Sequence, residues 1–235
     1  MPDFSQRSTE VEVMDDLGFT GEVMDQTLYE IEVINKWLGG NAVTLGGLHE
    51  LMKNQDPTKE ISIADLGCGR GDMLQLIAGW AKRENRLVRL IGFDANPYII
   101  QAAKNNLWNC PNIELVVMNI FSAEFRMLKF DIVIGTLFYH HFSNEQLLSF
   151  FLQLKDQVRI GHMINDLHRH NLAFYSIKIL TALFSSSSMV KADAPLSVLR
   201  AFTKKELVEV LRRADVKRFS IRWKWAFRWQ VLVYT

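Results

Sequence analysis

At 235 residues, 49% hydrophobic and 23% charged, the chain has the composition of an ordinary globular protein and the length for one full-sized core, here one α/β domain with an appendage. A formal net charge of +1 supplies no long-range field for nucleic acid or anionic lipid. Two cysteines, Cys68 and Cys110, make neither a disulfide framework nor a metal-ligand spacing, so no metal and no redox role is expected.

The N-terminus lacks a basic segment followed by an apolar core, and no stretch reaches the roughly 18 apolar residues of a membrane span, which predicts a cytoplasmic protein with no membrane partner. Residues 1–21 are polar and acidic and are expected to form a poorly ordered or loosely docked leader without function. From Glu22 to Leu38, apolar residues recur at spacings of three and four and stop at Gly39-Gly40, predicting an amphipathic helix. A second helix is expected over 42–52. Residues 1–55 are thus a leader with a helical cover, and 56–235 the main domain.

Beyond Asp56-Pro57, short apolar runs alternate with helical stretches, the pattern of a parallel sheet with crossover helices. The runs are 61–66, 87–93, 113–118, 130–135 and 158–164, separated by helical patterns at 72–82, 97–107 and 144–155, the last opened by a Ser143/Gln146 capping box. Leu172 to Phe184 is too short for a bilayer and interrupted by Lys178, so it predicts a buried or pocket-covering helix. Ser185 to Ser188 follows as a flexible break. Thr203 and Glu206 form a capping box for a helix to about Ala214, and two closing strands, 218–225 and 227–234, are too close for a crossover and predict an antiparallel hairpin at the sheet edge. Residues 166–202 are expected to be a substrate-region insertion.

The strongest local signal is Asp65-Leu66-Gly67-Cys68-Gly69-Arg70-Gly71-Asp72, a strand running into a Gly-x-Gly-x-Gly turn and a helix. The second strand ends in Gly92-Phe93-Asp94, a carboxylate placed to meet ribose hydroxyls. A dinucleotide fold wants its third glycine where Asp72 stands, and Asp65 and Asp72 would repel a pyrophosphate. A ligand with an ammonium and a sulfonium but no phosphate suits this charge.

Through Asp65-Leu66-Gly67-Cys68-Gly69-Arg70-Gly71, Phe93-Asp94-Ala95-Asn96 and Phe130-Asp131-Ile132-Val133-Ile134, the chain from about Ser62 to Asp166 resembles class I S-adenosylmethionine-dependent methyltransferases, with a weaker likeness to bacterial small-molecule enzymes. The resemblance implies a Rossmann-like seven-stranded sheet, mostly parallel with an antiparallel C-terminal hairpin, and S-adenosyl-L-methionine as cofactor. It implies that Gly67, Gly69 and Gly71 pack on methionine and ribose, that Asp65 helps hold the amino group, that Asp94 grips the ribose, and that Ala95 lies beside adenine. Asn119 stands where the family often has the aspartate that accepts from the adenine amino group, with the Ile120 amide beside it. Thr136, ending the fourth strand, completes the implied cofactor set.

Methyl transfer needs alignment and exclusion of water, plus a base where the nucleophile is protonated; a phenol with a pKa near 10 is only about one part in a thousand ionised at neutral pH. The fourth strand delivers His140 and His141 to the carboxyl edge of the sheet, and the fifth delivers Asp166 and His168; all are candidate acid-base groups, His140 first, with helix capping and loop hydrogen bonds as the structural alternative. Phe138, Tyr139, Phe174, Tyr175 and the 172–184 helix could wall an apolar pocket closed by Trp37, and Arg200 could pair with a substrate anion or a neighbouring acid. The run Arg222 to Trp229 interleaves cations and aromatics, and its alternation fits an edge strand better than a nucleic-acid groove. The expectation is an enzyme that methylates oxygen or carbon on a small, apolar or aromatic metabolite, with no nucleic-acid partner. Its rivals are a cofactor-binding regulator without turnover and methylation of RNA or protein. Oligomeric state is not legible in the sequence.

Overall fold

Each apolar run of the sequence becomes a strand of one seven-stranded sheet in the computed structural model, which describes residues 2–110 and 112–235. The strands are β1 (Ile61–Leu66), β2 (Val88–Asp94), β3 (Ile113–Val117), β4 (Phe130–Thr136), β5 (Val158–Leu167), β6 (Arg218–Lys224) and β7 (Arg228–Tyr234). The helices are α1 (Glu22–Trp37), α2 (Gly40–Met52), α3 (Asp72–Arg83), α4 (Pro97–Asn106), the single turn α5 (Ala123–Arg126), α6 (Asn144–Gln157), α7 (Asn171–Phe184), α8 (Ser188–Arg200) and α9 (Lys204–Arg213). Strand order is β3-β2-β1-β4-β5-β7-β6, with β7 antiparallel to both neighbours. The expected hairpin is present, and it enters with β7 inward and β6 as the edge.

Side chains one residue apart leave a strand on opposite faces, so β1 and β4 feed two cores. Ile63, Ile132 and Ile134 join Met163 and Leu232 under α2 and α3. Ala64, Leu66 and Val133 face the other layer, where Phe93, Phe125, Phe130, Phe150 and Trp229 pack under α6 and α9. Gly161 lets β7 lie against β5, because a Cβ there would collide with the Val233 carbonyl and come within 3.1 Å of Leu51.

The leader departs from expectation. It docks firmly across the carboxyl edge of the sheet. The Arg7 guanidinium donates to the carbonyls of His140, Phe142 and Arg200 and to Asn144, and lies 4.3 Å from the Phe202 ring centroid. The amides of Val13 and Met14, in a short 3-10 turn, donate to the Asp193 carboxylate at 3.0 Å each. Arg7 and Asp15 find partners over a hundred positions away, which a local reading of composition cannot see.

Ser187 caps a helix, α8, where only a break had been expected, and α8 packs on α7 and α1. Trp37 is 82% exposed and closes nothing; Leu28, Ile31, Asn35 and Leu38 of the same segment face the cavity instead. The α7 helix covers the pocket with Ala173, Ser176, Ile177 and Leu180, yet Leu172, Tyr175, Ile179, Leu183 and Phe184 are exposed on its outer side. Among the described residues, no helix is long and apolar enough to cross a membrane.

Candidate cofactor and acceptor site

A cavity of about 1170 Å³ lies over the carboxyl ends of β1, β2, β4 and β5, roofed by the leader, α1, α7 and α8. Pockets for one drug-sized ligand occupy roughly 300–1,000 Å³, so this one has room for a cofactor and an acceptor together.

One end is built by the turn after β1. Gly67, Gly69 and Gly71 have φ of +62°, +52° and +76°, a left-handed course that a side chain would strain. A Cβ on Gly67 would strike the Phe138 ring, whereas Gly69 has nothing within 4 Å and leaves its backbone open to a ligand. Gly71 packs against Leu107 instead and caps α3, so of the three it alone is not in the cavity wall. Asp65, at the end of β1, is 2% exposed; burial, with repulsion from Asp72 and Asp94, pushes its carboxyl well above the usual range. Burial and Glu32 push Asp72 up to about 6, and burial raises Asp94, whose carboxylate accepts from the Asn96 amide at 2.9 Å. Three carboxyls raised by burial, with Arg70 acting on Asp72, suit a ligand that carries an ammonium and a sulfonium. Ala95, Asn119, Ile120 and Thr136 line the same space. Asn119 already accepts the Phe121 amide at 2.9 Å, and Thr136 shares a 2.9 Å hydrogen bond with Thr44.

At the other end, His140 and Asp166 come together. The imidazole Nδ1 lies 2.7 Å from Asp166 Oδ1, and the His140 amide donates to Oδ2 at 3.1 Å. Burial alone would raise the Asp166 carboxyl, but His140 and the Leu167 amide outweigh it and hold it below the ordinary value. An ionised carboxylate only accepts, so the imidazole Nδ1–H donates to Asp166, which leaves Nε2 as the ring nitrogen on the opposite side. Asp166 stands behind His140, outside the cavity wall. His141 lines the cavity with Nδ1 2.6 Å from Asp15. His168 is not brought into the group: its ring packs on Trp229 at 4.7 Å and lies outside the wall. Tyr139 is buried in the core, Tyr175 is half exposed on α7, and Phe138 lines the cavity.

Sequence reasoning missed Glu12 and Asp15. Glu12 is 4% exposed, with Oε1 3.7 Å from His140 Nε2 and 3.6 Å from Arg200 Nε; burial pushes its carboxyl up to about 7. Arg200 ties the leader down, donating to Asp15 at 2.5 Å and to the His141 carbonyl at 2.5 Å, so its partner is a neighbouring acid. Glu12, His140 and His141 place donor atoms within 4.8 Å of one another, a grouping that cysteine and histidine spacing could not reveal. Beside them the Arg200 guanidinium opposes a metal cation with like charge.

Residues 63–161 match the family model of a methyltransferase domain. No curated protein sequence matches the chain. Among solved structures, it is similar to a protein of Nostoc punctiforme provisionally described as an O-methyltransferase, at 14% identity and a TM-score of 0.58 over 84% of this chain and 57% of that one. The plantazolicin methyltransferase BpumL, solved with S-adenosylhomocysteine, aligns at 16% identity and a TM-score of 0.62 over 91% of this chain and 100% of its own. Human N-acetylserotonin methyltransferase, solved with S-adenosylmethionine, aligns at 15% identity and a TM-score of 0.63 over 91% of this chain and 56% of its own. The chain therefore spans little more than half of the Nostoc and human proteins and the whole of BpumL. The glycine turn and the carboxylates Asp65, Asp72 and Asp94 all lie within residues 63–161, the part of the chain that matches a methyltransferase domain, and the chain has the fold of the methyltransferases it is similar to.

Proposed function

We propose that this protein methylates a hydroxyl or an activated carbon on a small acceptor that is mainly apolar or aromatic. The single observation that carries the reading is the buried Asp166–His140 pair at 2.7 Å, placed at one end of the cavity whose other end fits the cofactor. The bound cofactor supplies an electrophilic methyl group. Everything else falls to the chain. Asp65 and Asp94 hold and orient the donor, and the apolar residues Ile31, Leu38, Phe138, Ile177 and Leu180 line the acceptor space. His140 Nε2 takes the acceptor's proton, and Asp166 stabilises the imidazolium that results. His140 is 2% exposed beneath Glu12, so the acceptor reaches Nε2 when the leader shifts.

The test is transfer of a labelled methyl group to a panel of phenols and polyketide-like acceptors. His140→Ala is expected to slow transfer by about 10²–10⁴ while leaving S-adenosylmethionine affinity within twofold, since general-base catalysis contributes about that much. Unchanged rates would remove His140 from the chemistry. Failure of the wild type to bind the cofactor would sink the whole reading.

A further inference from the structure

Arg228 opens β7 opposite Leu167, the last residue of β5, and is the largest of the fully buried side chains, 1% exposed. It lines the cavity, yet it makes no ion pair among the described residues. Its one side-chain hydrogen bond there runs from Nη1 to Asn165 Oδ1 at 3.2 Å, and Nε is buried without an acceptor. The guanidinium lies over Gly40: a Cβ at that position would stand 2.8 Å from Cζ. Gly40 is the first residue of α2, a helix whose N-terminus has no side-chain cap, so the positive end of its dipole adds to the same charge. Asn35 Oδ1, also buried and unpartnered, lies beside them.

Burial lowers the Arg228 pKa to about 10, partly offset by Asp166 at longer range, so the group stays charged at neutral pH. A permanently charged, buried guanidinium without a carboxylate is costly, and arginine is suited to bidentate recognition of carboxylates. Its missing counter-charge is one the cavity can receive.

We propose that Arg228 is the anion-binding residue of the acceptor subsite and that the acceptor carries a carboxylate on its apolar body. This rests on the methyltransferase reading and narrows its substrate class. The shared chemistry is a carboxylate, and the cofactor's own methionine carboxylate is the other source to be told apart.

The experiment uses the full chain saturated with S-adenosylhomocysteine, as wild type, Arg228→Gln and Arg228→Lys, titrated by NMR with benzoate and with benzamide as its neutral counterpart. The wild type is expected to prefer benzoate at least tenfold. Arg228→Gln should erase that preference, Arg228→Lys should keep part of it, and the ligand-free melting temperature of Arg228→Gln should equal or exceed that of the wild type, because an uncompensated charge has been removed. S-adenosylmethionine affinity within threefold of wild type in Arg228→Gln places the carboxylate on the acceptor; a tenfold loss assigns it to the cofactor and overturns the acceptor site. No benzoate preference in the wild type, or one that survives Arg228→Gln, overturns it as well. A wild type that binds no S-adenosylmethionine fails the methyltransferase reading instead, and that arm is measured separately.

Discussion

Asp65, Asp72 and Asp94 converge on one end of the cavity because β1 and β2 are adjacent and parallel and both stop there. In the proposed function their charge is the basis of cofactor affinity at the level of single residues. Asp94→Ala should weaken S-adenosylmethionine at least tenfold in calorimetric titration with little change in melting temperature, since the side chain lines a cavity rather than a core. Asp72, pushed up to about 6, loses its charge as pH falls through that value, so cationic cofactor should bind several-fold more weakly at pH 5 than at pH 7.5. An affinity flat over that range would remove Asp72 from the cofactor's field. The pairing of His140 with Asp166 is consistent with both being placed at the sheet edge by the sequence. Their 26-residue separation gave no warrant for joining them rather than Asp166 with His168.

At the level of elements, the leader is the part that local reasoning could not place. Nothing in Glu12-Val13-Met14-Asp15 announces a partner, and the contacts that fix it lie on α8 and on the loop after β4. Glu12 faces His140, His141 and Arg200, accepts from Ser197, and lies near Asp15, and its folded carboxyl is raised from 4.5 to about 7 by burial. A group raised on folding favours the folded state while protonated, so this contribution is complete below about pH 4.5 and is lost as pH rises through about 7. Docking of the leader should therefore loosen between those values, seen as faster hydrogen exchange of the Val13 and Met14 amides. Glu12→Gln, which cannot ionise, should flatten that dependence. An identical pH response in wild type and variant would show that another group controls the leader.

For the whole molecule, stability rests on a sheet buried on both faces. Gly161→Ala forces a Cβ into the Val233 carbonyl where β7 joins β5, and should cost more than about 2 kcal/mol in denaturant unfolding, at the upper end of overpacking effects. A neutral result would mean that the β5–β7 pairing yields at little cost. The α7 helix covers the pocket with one face and leaves an apolar stripe from Leu172 to Leu183 exposed on the other, because apolar residues nearly all round a helix do not say which side meets the protein.

By itself the sequence determined the strand and helix alternation, the glycine turn, the acidic residue closing β2, and the carboxylates beside the turn that disfavour a dinucleotide phosphate. These are local properties of backbone conformation, side-chain period and charge, and they act over a few residues. Only the tertiary structure decided that Arg7, Glu12 and Asp15 close over His140, that Asp166 turns to His140 rather than His168, and that Arg228 is buried at the cavity wall without an ion pair among the described residues. Those arrangements join segments up to about two hundred residues apart. Desolvation and charge complementarity select them only once the sheet has set the distances.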